Sequence, residues 1–148
     1  MKIYIFIIAL AGFRNYSEAQ IIHPVKWSYA LKRTTANTAV VLIKANINEG
    51  WHIYSIHQKN GGPVKTSFSF VPSEKYALVD NILEPKPRIE HNKAFAMKVL
   101  YFENLVVFKQ KIRISKSPTV VHGSLNFMAC NDQKCLPPED VTFEITIN

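Results

Sequence analysis

The sequence predicts an all-β chain folded as a two-sheet, immunoglobulin-like sandwich, with a β-barrel as the alternative. Three observations carry this expectation. Apolar and polar residues alternate in short runs, the period of half-buried strands. No segment sustains a helical period. Pro63, Pro72, Pro85, Pro87, Pro118, Pro137 and Pro138 fall between the runs, where the missing N–H does no harm. A chain of 148 residues, 47% hydrophobic and 20% charged, can bury one core and is too apolar for disorder. No repeat or linker divides it, so one domain is expected.

The chain opens with Met1, Lys2 and an apolar run from Ile3 to Phe13, too short to span a bilayer but suited to the h-region of a secretory signal. Ser17 and Ala19 supply the small residues of a cleavage site, which divides the chain into a signal peptide, residues 1–19, and a mature domain, residues 20–148. Export follows, with no membrane insertion after cleavage. Removing Lys2, Arg14 and Glu18 lowers the formal charge from +7 to +6, so the mature domain stays basic.

The strands follow in order. Val25, Trp27, Tyr29 and Leu31 share one face of the first, and Val41, Ile43, Ala45 and Ile47 share one face of the second. Phe68 and Phe70 mark a shorter one. Met97, Val99 and Tyr101 lead through Glu103-Asn104 into Leu105 and Val107, a pattern that predicts a hairpin because Asn tolerates positive φ. Lys109, Lys111 and Arg113 then alternate with apolar residues. They read as a solvated strand face that also discourages edge pairing, or as a docking surface for an acidic partner. No nucleic-acid-binding module is visible. Leu125, Phe127 and Ala129 run into Cys130, and Val141, Phe143, Ile145 and Ile147 line the last strand.

Cys130 and Cys135 are the two cysteines of the chain. In an oxidising compartment, two cysteines with four residues between them, including the turn-forming Asn131-Asp132, are expected to rest as a disulfide. As a staple it would close a loop of about six residues and contribute roughly 2 kcal/mol, which a well-patterned domain of this size does not need. A structural bridge and a redox-active pair both remain open on these residues. Metal is disfavoured on ligand count: structural zinc takes four ligands, and the five histidines offer no metal-binding spacing beyond His52 and His57.

The run from Cys130 to Cys135, followed at once by Leu136-Pro137-Pro138-Glu139 and a terminal strand, resembles the N-terminal periplasmic domain of the thiol:disulfide interchange protein DsbD. "EGWHIYS" from Glu49, "GGPVKTSFSF" from Gly61 and "FAMKVLYFENLVVFKQKI" from Phe95 are similar to a shorter exported variant of that domain. The resemblance implies an immunoglobulin-like fold and a cysteine pair that takes electrons from a thioredoxin-like or membrane thiol-transporter protein and passes them to oxidised periplasmic proteins. No cofactor and no metal are implied, and the expected state is a periplasmic monomer. Cys130 and Cys135 become the catalytic pair, with Cys135 the point of partner attack beside the rigid Pro137.

The same resemblance places a cap over the sulfurs in "EHNKAFAM", residues 90–97, with Phe95 as the cap aromatic and Asn92 beside it. A strand-initiating core Phe is the alternative for Phe95. Tyr54 and His52 line the pair; His52 replaces a Tyr of the enterobacterial form, and the cysteines are one residue closer than in that form. Neither the transmembrane transporter nor the thioredoxin-like domain accompanies the pair, so a separate electron donor is expected. The rival reading is a non-catalytic, immunoglobulin-like protein-binding module with a structural disulfide.

Overall fold

A computed structural model describes residues 22–148, which form eleven strands and, among the described residues, no helix. The expected signal peptide, residues 1–19, lies outside the described residues. The strands are β1 (Val25–Thr35), β2 (Thr38–Ile47), β3 (His52–Tyr54), β4 (Ser67–Phe70), β5 (Tyr76–Leu83), β6 (Arg88–Asn92), β7 (Met97–Glu103), β8 (Leu105–Ile114), β9 (Thr119–Phe127), β10 (Ala129–Cys130) and β11 (Glu139–Ile147).

They build three antiparallel sheets, ordered β1-β2-β8-β5, β10-β3-β7-β6 and β11-β9-β4. None closes into a barrel, and the fold is an immunoglobulin-like sandwich. Alternation explains the core. Val41, Ile43, Ala45 and Ile47 of β2 are buried on one face, against Val106, Phe108 and Ile112 of β8. Ile53 and Phe102 enter from the second sheet, and Val121, Leu125, Phe127, Phe143 and Ile145 from the third. Trp27 joins them from β1, its ring centroid 5.3 Å from Phe127 in an edge-on pair. Gly123 is required at one crossing, because a Cβ there would stand 2.4 Å from the Phe143 ring and 2.7 Å from the Ser69 carbonyl oxygen.

The expected hairpin through Glu103-Asn104 is not formed. Asn104 does take positive φ, 61°, but it turns a corner between sheets: β7 pairs with β3 and β6, whereas β8 pairs with β2 and β5. The crossing also shifts the inward face of β8 to Val106, Phe108, Gln110, Ile112 and Ile114, leaving Leu105 exposed. Lys109, Lys111 and Arg113 are on the solvent face as read, but β8 lies inside its sheet, so they guard no edge. Strands β5 and β6 had no signal in the alternation. β5 carries a bulge at Asp80, with φ 60°, and β6 (RIEHN) exposes all but one residue.

Candidate functional site: a disulfide on the outer face of a sheet

The second sheet has two different faces. Ile53 and Phe102, paired across β3 and β7, point into the main core with Ala129. Their sequence neighbours point the other way by the period of two. Cys130 lies opposite His52, His52 opposite Glu103, Tyr54 opposite Tyr101, Glu90 opposite Val99 and Asn92 opposite Met97. This outer face gathers a second, smaller apolar cluster. Tyr54, Val99 and Cys130 are buried in it, and Phe95, Met97, Tyr101 and Met128 pack around them.

Cys130 and Cys135 are bonded, with an S–S distance of 2.03 Å. The backbone places them for it. Asn131 N–H donates to the Lys134 carbonyl and Leu136 N–H to the Ala129 carbonyl, both at 2.9 Å. Those two bonds flank the cysteines and make them the non-hydrogen-bonded pair of a tight antiparallel turn, where Cα atoms approach most closely. Here they are 4.0 Å apart. Asn131 holds the turn, its Oδ1 accepting from the N–H groups of Gln133 and Lys134 at 2.9 and 2.8 Å. The two sulfur-bearing residues differ in access: Cys130 is 2% exposed, whereas Cys135 is exposed.

A cleft of about 500 Å³ opens beside the bond, lined by residues from β3, the β6–β7 turn and the cysteine turn. Its base is Tyr54 and His52, whose Nε2 lies 3.0 Å from the Tyr54 hydroxyl. Burial, reinforced by the nearby Glu90 carboxylate, pushes the Tyr54 phenol up to about 12, so it stays protonated in the neutral range. Burial also lowers the His52 pKa, against the opposing pull of Glu90, Glu103 and Asp132, which favours the neutral ring.

One wall is the tip of the β6–β7 hairpin. Asn92 Oδ1 accepts from the N–H groups of Ala94 and Phe95 at 2.9 and 3.2 Å, and the turn closes through Ala96 at φ 51°. This sets Phe95, half-buried, against the cluster that holds Cys130 and apart from the main core. Thus Cys130, Cys135, His52, Tyr54, Asn92 and Phe95 surround one cleft, while Pro137 is exposed and outside its lining. Among the described residues, no three His, Cys, Asp or Glu side chains converge as a metal site.

Several supporting residues gave no sequence signal. Gln58 is buried at 3% exposure, and its Oε1 accepts the Leu100 N–H at 2.8 Å, extending the β3–β7 ladder. Glu84 accepts from the Ser55 hydroxyl and from the Ile56 N–H, fixing the chain as it leaves β3. Gly62 passes so close to Met97 that a Cβ would meet its sulfur at 2.4 Å. Lone polar residues in a loop look alike in sequence; only the fold shows which backbone groups they satisfy.

Residues 18–147 match the family model described as "Thiol:disulfide interchange protein DsbD, N-terminal". The chain belongs to this family. Membership and the bonded cysteine pair together support a role in thiol–disulfide exchange. The DsbD N-terminal domain of Neisseria meningitidis in its reduced form is 15% identical, with a TM-score of 0.55 over 82% of this chain and 86% of that one. The N-terminal periplasmic domain of ScsB from Proteus mirabilis is 16% identical, with a TM-score of 0.60 over 82% of this chain and 45% of that one. A Neisseria meningitidis complex between the DsbD N-terminal and PilB N-terminal domains gives 13% identity and a TM-score of 0.51, covering 82% and 87%. No curated protein matches the sequence. At these identities the solved structures speak for the fold.

Proposed function

We propose that this domain is an exported, periplasmic electron relay that carries a dithiol between partner proteins through Cys130 and Cys135. The observation that carries the reading is the asymmetry of the bond: an exposed Cys135 joined to a buried Cys130, at a cleft walled by a hairpin tip. A staple would gain nothing from such a cleft.

In the charging step, a thiolate of a reduced thioredoxin-like or membrane thiol-transporter partner attacks Sγ of Cys135. The Cys130–Cys135 bond breaks, and Cys130 leaves as the thiolate while a mixed disulfide forms at Cys135. The partner's second thiolate then attacks its own sulfur and releases Cys135. Two electrons have moved; the partner holds a disulfide and the domain a dithiol. With an oxidised protein as acceptor the same steps run in reverse. A related domain from Neisseria meningitidis was solved in complex with a PilB domain, which supports a protein partner for this one.

Phe95 acts as the cap, Asn92 holds the cap turn, and Tyr54 and His52 form the base on which the sulfurs rest. Pro137, next to Leu136, stiffens the chain leaving Cys135. The test is trapping with a thioredoxin-like protein that keeps only its attacking cysteine, activated as the mixed disulfide with thionitrobenzoate. In a Cys130→Ala variant the Cys135 thiolate should attack that disulfide, displace thionitrobenzoate and accumulate as a mixed disulfide, because neither protein keeps a second thiol to resolve it. Trapping only by Cys135→Ala would reverse the assignment. A wild-type bond that stays closed under the reduced dithiol form of the same partner, while a control disulfide is reduced, would leave the pair a structural clamp.

A further inference from the structure

Charge is distributed unevenly over this molecule. The strands of the β1-β2-β8-β5 sheet carry one acid, Asp80, in the bulge of the edge strand. Cross-strand register places Lys26, Lys32, Lys44, Lys109, Lys111 and Arg113 together on the face turned away from the core. None of the six enters an ion pair among the described residues. Such uncompensated like charge repels itself, a cost that no contact within the domain recovers.

The same face has an apolar end. Leu83 and Leu105 are 63% and 53% exposed, and with Pro85, Val107 and Lys109 they border a shallow depression of about 500 Å³, whose one acid, Glu84, is engaged by the Ser55 hydroxyl and the Ile56 N–H. Val40 and Leu42 continue the apolar strip between the lysines, each half-buried under neighbouring side chains. Four strands make a surface about 15 Å wide, and ten residues of strand make it about 30 Å long.

We propose that this face docks on an anionic phospholipid bilayer. A bilayer offers both chemistries in the observed arrangement: phosphate charges spread over a plane, and glycerol and acyl groups just beneath for Leu83 and Leu105. Lysine stems lie along apolar surface while their ammonium groups stay in the headgroup layer. Each cation near such a surface strengthens partitioning by about fivefold. The disulfide cleft lies on the outer face of another sheet, joined to this one through the shared core, so docking leaves Cys135 free for soluble partners.

The purified protein is sedimented with vesicles of phosphatidylcholine alone and of phosphatidylcholine with phosphatidylglycerol, and the difference between the two is the readout. Binding should require phosphatidylglycerol and vanish near 1 M salt, where the screening length falls to about 3 Å. Lys109→Gln with Lys111→Gln should weaken it by about 25-fold. Lys109→Glu with Lys111→Glu should weaken it further, whereas Lys59→Glu with Lys65→Glu, on the loop after β3, should change it little. Equal urea midpoints would show that every variant is folded. Equal binding to both vesicle types, no binding, or binding indifferent to Lys109 and Lys111 overturns the proposal. So does capture of an acidic protein by this face without vesicle binding.

Discussion

His52 of β3 stands directly opposite Cys130 of β10, with its Nε2 on the Tyr54 hydroxyl. Because burial lowers its pKa below the ordinary 6.5, the unfolded chain binds the proton more readily than the folded one. Stability linked to His52 is therefore complete above pH 6.5 and declines as the pH falls toward the folded value, then levels off. The expected result is a urea midpoint that drops between pH 7.5 and 5 more steeply for the wild type than for His52→Gln. The two profiles should run parallel above about pH 6.5, where both side chains are neutral. A wild-type midpoint that rises on acidification relative to His52→Gln would mean that Glu90, Glu103 and Asp132 outweigh burial. The reading of His52 as a neutral ring would then fail.

At the scale of one element, the tip of the β6–β7 hairpin walls the cleft beside the sulfurs. Phe95 gives its ring to the small cluster, and Asn92 holds the turn with two accepted hydrogen bonds. Ala96 at φ 51° adds backbone strain that a looser turn would release. Phe95→Ala is expected to speed opening of the bond by a small thiol such as dithiothreitol and to cost less than the roughly 3 to 5 kcal/mol of a fully buried Phe. Asn92→Ala should act in the same direction at about 1 kcal/mol, by loosening the turn while keeping the ring. Stopped-flow reduction rates and urea midpoints measured on both variants check this; large destabilisation without faster reduction would make Phe95 a packing residue. The strands that carry the core were legible because alternation over seven or more residues is a strong signal. β5 and β6 were not, because an edge strand with a bulge and an exposed hairpin arm do not alternate. The cysteine turn and its neighbours were readable as a motif. The clamps formed by Gln58 and Glu84 were invisible, since their partners are backbone groups distant in sequence. The false hairpin at Glu103-Asn104 shows the limit of local turn chemistry: Asn104 makes the bend, but strand pairing is settled by which sheet offers a partner.

The whole molecule keeps its cysteine pair apart from what holds it together. The main core is contiguous across all three sheets and includes neither cysteine, while Cys130 belongs to the small cluster on an outer face. A domain that is to work in both oxidation states needs this separation, since a bond at the centre of the core would couple every electron transfer to repacking. Opening the bond should therefore remove only the constraint on a loop of about six residues, roughly 2 kcal/mol in the unfolded-chain account. The expected outcome is that the reduced protein unfolds in urea in a single transition with an unchanged m-value, because the surface buried on folding is nearly the same. Its midpoint should be lower by the amount corresponding to that energy. Amide exchange should stay slow in β2, β8 and β9 and accelerate only in β10, in the turn from Asn131 to Lys134 and in the cap turn. A large fall in m-value, or loss of protection in β2 and β8 on reduction, would show that the disulfide supports the sandwich itself. The relay would then require the fold to break each time it is charged.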